Sequence, residues 1–198
     1  LADWRDVLAE VRKTPGVTEA SPLIEQPLLA TSNGRVEAIL VRGMQVGDIL
    51  DNPTLKGKTV DGDMALLRAG TERIGIGSRL AAKLGARVGG RVTIINPAGQ
   101  TTPFGTVPRE ISYEVAAIFE VGVFDYDEAF VIMTIEDAQL LMLMGDEIGM
   151  IELKTTDPDT VGETLRPLQT KLSDNAMIID WRSMNAQLFE ALEIERIA

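Results

Sequence analysis

Residues able to do chemistry are scarce in this chain, and the few groupings it has do not meet the spacing that chemistry needs. There is no histidine and no cysteine, which removes the commonest general base, the commonest metal ligand, the thiol nucleophile and any thiolate zinc site. Asp125, Asp127 and Glu128 in FDYDEAF crowd together as calcium-loop ligands do. The EF-hand pattern, however, requires glycine at its sixth position and glutamate at its twelfth, and only the second is met, by Glu136, while Phe130 stands at the sixth. GIGSRLA at 75–81 approaches a phosphate-binding glycine loop, yet no third glycine and no Lys-Ser/Thr pair follow. No Ser-x-x-Lys or Gly-x-Ser-x-Gly arrangement is present. Glu190, Glu193 and Glu195 beside Arg196 read as a solvated helix face. The residues therefore define no catalytic group, and neither a metal nor a cofactor is expected.

What stands out instead is a segment between two apolar strands, AGQTTPFGTVPRE at 98–110. Pro103 and Pro108 each fix φ and remove a donor, while Gly99 and Gly105 permit tight turning beside them. Phe104 and Val107 lie between the prolines. On a stiff excursion an aromatic side chain serves as an interface anchor; the other reading is that Phe104 folds back and caps the sheet as part of a satellite cluster.

Composition narrows the partners. Of 198 residues 45% are hydrophobic, enough for a globular body of one or two domains. The balance of 30 acidic against 19 basic residues, net −11, opposes nucleic acid and anionic lipid. No apolar run reaches the roughly 18 residues that cross a bilayer. The chain begins inside a helical pattern, with Trp4, Val7, Leu8 and Val11 at i, i+3, i+4 and i+7, and LFEALEIERIA at the other end runs out with no cap; both ends are expected to continue in a longer polypeptide.

The elements that would position the excursion can be read in order. A helix at 3–14 is stopped by TPG, and strands at 17–31 and 35–43 are joined by SNG, with Pro22 and Pro27 bending the ribbon or confining it to an edge. Residues 46–70 read as turns and a short helix. Ser78 is the expected N-cap of a helix that Gly85 ends. Strands follow in GGRVTIINP, EISYEVAAIFEVG and EAFVIMT, then a helix at 135–144, a strand at 148–155, a helix at 157–172, a strand AMIIDW and a last helix from 183. WRDVLAEVRKTPGVTEASP near the start and VGETLRPLQTKLSDNAMIIDW near the end share one helix-turn-strand order. The expected fold is thus α+β: residues 1–46 and 147–198 form a split, ferredoxin-like βαβ subdomain, and 47–146 an inserted mixed subdomain carrying a protruding β-hairpin hook at 98–110.

Four segments carry a family resemblance: TPFGTVP after INPAGQT, IGIGSRLAAKLGARVGGRVTIINP, VIMTIEDAQLLM, and the closing DWRSMNAQLFEALEIERIA. Together they resemble the periplasmic region of the membrane subunit of lipoprotein-releasing ABC transporters, the LolC/LolE type within the MacB-like periplasmic core family, over nearly the whole chain. That resemblance implies a porter-like subdomain split around a sabre-like insertion, in the periplasmic part of a bacterial inner-membrane permease. It implies a hook that engages the lipoprotein chaperone LolA through Thr102, Pro103, Phe104, Gly105, Thr106, Val107, Pro108 and Arg109. It further implies a second permease subunit, a separate cytoplasmic ATPase subunit LolD, and lipoprotein substrates. The alternative within the same fold is a MacB-like efflux or FtsX-like mechanotransmitting permease.

Overall fold

The computed structural model describes residues 3–103, 105–172 and 177–179. The helices are α1 (Trp4–Arg12), α2 (Val46–Asp51), α3 (Ser78–Leu84), α4 (Phe124–Ala129), α5 (Ile135–Met142) and α6 (Val161–Leu172). The strands are β1 (Val17–Ser32), β2 (Arg35–Met44), β3 (Thr59–Gly62), β4 (Arg73–Gly77), β5 (Arg91–Thr102), β6 (Gly105–Phe119), β7 (Phe130–Thr134) and β8 (Met150–Thr155). Short 3-10 turns occupy Met64–Leu66 and Pro158–Thr160. The expected strand AMIIDW and the last helix fall largely or wholly outside the described residues, as does the expectation about the two ends; Met177–Ile179 has no regular structure.

By its contacts the chain divides into two compact units, one containing Asp3–Ala20 with Leu153 onward and the other Ser21–Glu152. The divisions fall at 20/21 and 152/153, inside β1 and β8, instead of at 46/47 and 146/147. The reason is strand pairing: β2 takes Ser21–Glu152 partners on both sides, β1 from Leu23 onward and β7 over Leu40–Met44.

In the first unit, α1 buries Trp4, Val7, Leu8 and Val11, the four positions the helical period marks. Arg12 donates from Nε and Nη2 to the Ala20 carbonyl, at 3.1 and 2.8 Å. The Thr156 amide donates to the Gly16 carbonyl and the Thr18 hydroxyl to the Lys154 carbonyl, tying the two chain segments together. α6 buries Val161, Leu165 and Leu168, again one face.

The second unit is built on the sheet. Its strand order is β2-β7-β4-β6-β5-β1-β8, with β3 beside β6, and the additional β1–β2 pairing joins the path into a ring of six strands. The β1–β2 hairpin turns at Asn33-Gly34, both at positive φ, which is the two-residue turn whose twist suits a hairpin. Pro22 and Pro27 are accommodated because the β2 register starts at Leu23 and the β5 register covers only Leu29–Thr31. Leu23, Met44, Ile49, Leu55, Met64, Leu67, Ala116, Ala117, Phe119 and Ile132 form one buried apolar cluster.

Several local expectations are corrected. The 46–70 stretch contains a strand, β3, which joins the sheet through Asp61 and Gly62 opposite Ile118 and Ala117. Ser78 is the first residue of α3 and Gly77 its cap, with no side-chain cap bond, because β4 runs straight into the helix. FDYDEA is the short helix α4, with Phe130 starting β7, and the Asp127 carboxylate is buried: it accepts from the amides of Val121 (2.8 Å) and Gly122 (3.1 Å) and so closes the connection from β6. The glycines of GIG serve packing. A Cβ on Gly75 would meet Met64 Sδ at 2.7 Å, and one on Gly77 the Asp127 carbonyl oxygen at 2.2 Å.

Candidate functional site: the β5–β6 hairpin

Residues 98–110 are not an irregular loop. β5 continues to Thr102 and β6 starts at Gly105, paired Gln100 to Val107, Thr101 to Thr106 and Thr102 to Gly105, so the pairing runs to within two residues of closing the hairpin. Threonine and valine favour extended backbone, which is why the strands persist this far. Gly105 has φ +122°, a conformation other residues rarely adopt, and it brings the chain out of the turn.

Beyond Asn96 the ribbon has no third strand beside it among the described residues. β1 pairs with β5 only up to Ile95, and β4 and β3 meet β6 only from Glu114 and Ala117 onward. On the β6 side four residues, 105–108, lie beyond Arg109, so the paired ribbon extends past the sheet by about 13 Å, at roughly 3.3 Å per residue. Along this ribbon Pro103, Gly105, Thr106, Val107 and Pro108 are exposed, Val107 by 55%, and Arg109 is half-buried at the base. Phe104 lies outside the described residues. Residues 97–108 contain no charged side chain, in a protein of which a quarter is charged. The ribbon is thus exposed, uncharged and bracketed by prolines, which restrict its backbone.

The register jumps at the base. Asn96 pairs with Arg109 and Gln100 with Val107, so Pro97, Ala98 and Gly99 oppose Pro108 alone. This is a bulge, and it bends the ribbon. Both prolines sit at this interruption, where a missing amide costs no regular ladder bond.

Below the bulge is a buried polar group that the sequence did not single out. The Tyr113 hydroxyl is enclosed and finds no hydrogen-bond partner among the described residues. Burial pushes its pKa far up, the charges of Asp137 and Glu72 add to this, and Arg109 opposes it. Asp137 is itself buried at the start of α5. Burial raises its pKa, and the Thr134 hydroxyl and the Gly70 amide, both donating to it, pull the other way. Removing an unbonded buried hydroxyl relieves a desolvation cost, so Tyr113→Phe should leave stability unchanged or raise it by about 0.5–1 kcal/mol. Urea unfolding checks this, and a loss of more than about 1 kcal/mol would mean that the hydroxyl is bonded.

The chain belongs to the MacB-like periplasmic core domain family, whose model matches residues 1–171. It is 30% identical over 195 residues to the lipoprotein-releasing system transmembrane protein LolC of Neisseria meningitidis serogroup B, covering 98% of this chain and 47% of that protein. It is 31% identical over 194 residues to LolC of Xylella fastidiosa strain 9a5c, covering 98% and 46%. The chain thus spans about half the length of the relatives it matches. Among solved structures it is similar to the periplasmic region of MacB from Actinobacillus actinomycetemcomitans, with TM-score 0.57, 10% identity, and coverage of 93% of this chain and 81% of that one. It is likewise similar to the extracellular domain of the noncanonic ABC-type transporter YknZ from Gram-positive bacteria, with TM-score 0.54, 14% identity, and coverage of 86% and 82%. The mixed α+β fold is that of these domains. Among the described residues no helix is long and apolar enough to cross a membrane.

Proposed function

We propose that this chain is the periplasmic domain of an inner-membrane ABC transporter permease of the lipoprotein-releasing kind, and that its β5–β6 hairpin docks in the apolar cavity of the periplasmic lipoprotein chaperone LolA. In this reading the domain binds and transmits movement and performs no chemistry. ATP hydrolysis belongs to a separate cytoplasmic subunit, LolD, a second permease subunit completes the transporter, and lipoprotein passes to the chaperone. The porter-like subdomain is assigned to the unit of Asp3–Ala20 with Leu153 onward, and the sabre-like one to Ser21–Glu152.

The observation that carries the reading is the ribbon itself: two strands without a third neighbour among the described residues, uncharged from 97 to 108, with Val107 and three flanking prolines exposed, in a chain 30% identical to a LolC. Titration calorimetry of the chaperone against the domain tests it. Replacing residues 100–107 by Asn-Gly shortens the hairpin to a tight turn and should abolish binding while the unfolding midpoint stays in place. A shortened domain that binds with its parent's affinity would end this reading.

A further inference from the structure

Among the described residues no strand supports the hairpin past Asn96 on either side, so its direction is decided at its base. The base holds three observations. Asn96 is a polar side chain only 8% exposed; its Oδ1 accepts from the Ala98 amide at 3.1 Å, and its Nδ2 faces the Leu141 carbonyl on the last turn of α5 at 3.5 Å. That carbonyl is one of the four that a helix end leaves without an intrahelical donor. Gly99 lies against the opposite strand so closely that a Cβ there would come within 2.0 Å of the Val107 carbonyl oxygen and 2.8 Å of the Arg109 amide nitrogen. Burying an asparagine is costly unless its amide is bonded, and here one side chain shapes the bulge with its oxygen while its nitrogen reaches the neighbouring helix.

We infer that Asn96 and Gly99 form a fixed corner that aims the hairpin, fastening its base to the C-terminal turn of α5. Asn96 is on this account a positioning residue: it touches no partner and acts by holding the tip in one direction, so that docking has less freedom to remove. The inference rests on the docking role given to the hairpin, but the corner can be measured without the chaperone.

The chain has no cysteine, so cysteines introduced at Thr106 and at Leu140, which is exposed on α5, take spin labels alone, and pulsed electron resonance gives the distribution of distances between tip and body. The parent should give one narrow distribution. Asn96→Ala should broaden it about twofold as the corner loosens, whereas Gly99→Ala should displace its centre, because the added methyl forces the two strands apart. If Asn96→Ala does not fold, Asn96→Asp keeps the acceptor for Ala98, loses the donor to Leu141, and should broaden the distribution as well. A folded Asn96 variant that melts earlier but keeps the parent distribution would overturn the inference, since a merely structural role predicts that result. In calorimetry Asn96→Ala should weaken chaperone binding about tenfold. A broadened distribution together with tip variants of undiminished chaperone affinity retains the corner and discards the docking role instead.

Discussion

Phe104→Ala and Pro103→Ala should each weaken chaperone binding strongly, Phe104→Ala by about 2–4 kcal/mol, or roughly 30- to 1,000-fold in affinity. The two changes act differently. Phe104, the one aromatic residue between 97 and 112, is expected to fill a pocket of the partner, so its truncation removes apolar contact. Pro103 opens the turn and restricts it, so Pro103→Ala returns freedom to the unbound tip that docking must remove again. Val107, already 55% exposed on the ribbon, should behave as Phe104 does on a smaller scale. Glu110 is exposed at the foot of the hairpin, and Glu110→Ala should change affinity by less than about 1 kcal/mol, as a solvated charge does. Calorimetry on the four variants gives the ranking. Equal losses at Phe104 and Glu110 would mean that the tip is not the anchor.

The largest stability effect is expected from a single methyl group. In Gly77→Ala the new Cβ would lie 2.2 Å from the Asp127 carbonyl oxygen, 2.6 Å from its carbon and 2.8 Å from its Cα, far inside the roughly 3.5 Å of ordinary contact. All three atoms are backbone and cannot turn aside. Asp127 is itself fixed, because its carboxylate holds the amides of Val121 and Gly122. Either α4 moves off β4, breaking that clasp, or β4 shifts in its register with β6 and β7. Overpacking with no escape should cost about 3 kcal/mol, which lowers the urea midpoint by about 1–2 M at the slopes usual for small domains. Gly47→Ala is the internal comparison. Gly47 lies in α2 with nothing within 4 Å of its would-be Cβ, so there alanine should be neutral or gain up to about 1 kcal/mol from helix propensity. A Gly77→Ala protein with the parent midpoint would mean that α4 is free to move.

Helical period and turn chemistry are local, and where the fold depends on them the sequence is sufficient. Trp4, Val7, Leu8 and Val11 mark the buried face of α1 by spacing alone, and Asn33-Gly34 marks the β1–β2 turn because few other pairs tolerate two positive φ values. The hairpin could be located in the same way: proline and glycine around apolar residues, in a stretch with no charge, stand out from a chain that is otherwise rich in charge.

Sequence could not say how far the hairpin's strands run, since that depends on cross-strand pairs such as Gln100 with Val107, or that Pro97, Ala98 and Gly99 face Pro108 alone. The ring of six strands was equally out of reach, because β2 beside β7 and β4 beside β6 are parallel pairings between segments far apart in the chain, and no local pattern records a partner. The same holds for individual residues. Asp127 looked like half of a metal site and is the clasp of a loop; Gly75 and Gly77 looked like part of a phosphate loop and are where Met64 and the α4 backbone pass closest. Asn96 carries no sequence signal at all, because what distinguishes it is burial and the approach of α5, 45 residues later in the chain. Residue type and spacing thus determined what this protein lacks and where its exposed apolar tip lies, while tertiary packing alone decided which backbone atoms come close enough to exclude a side chain and which buried polar groups find a partner.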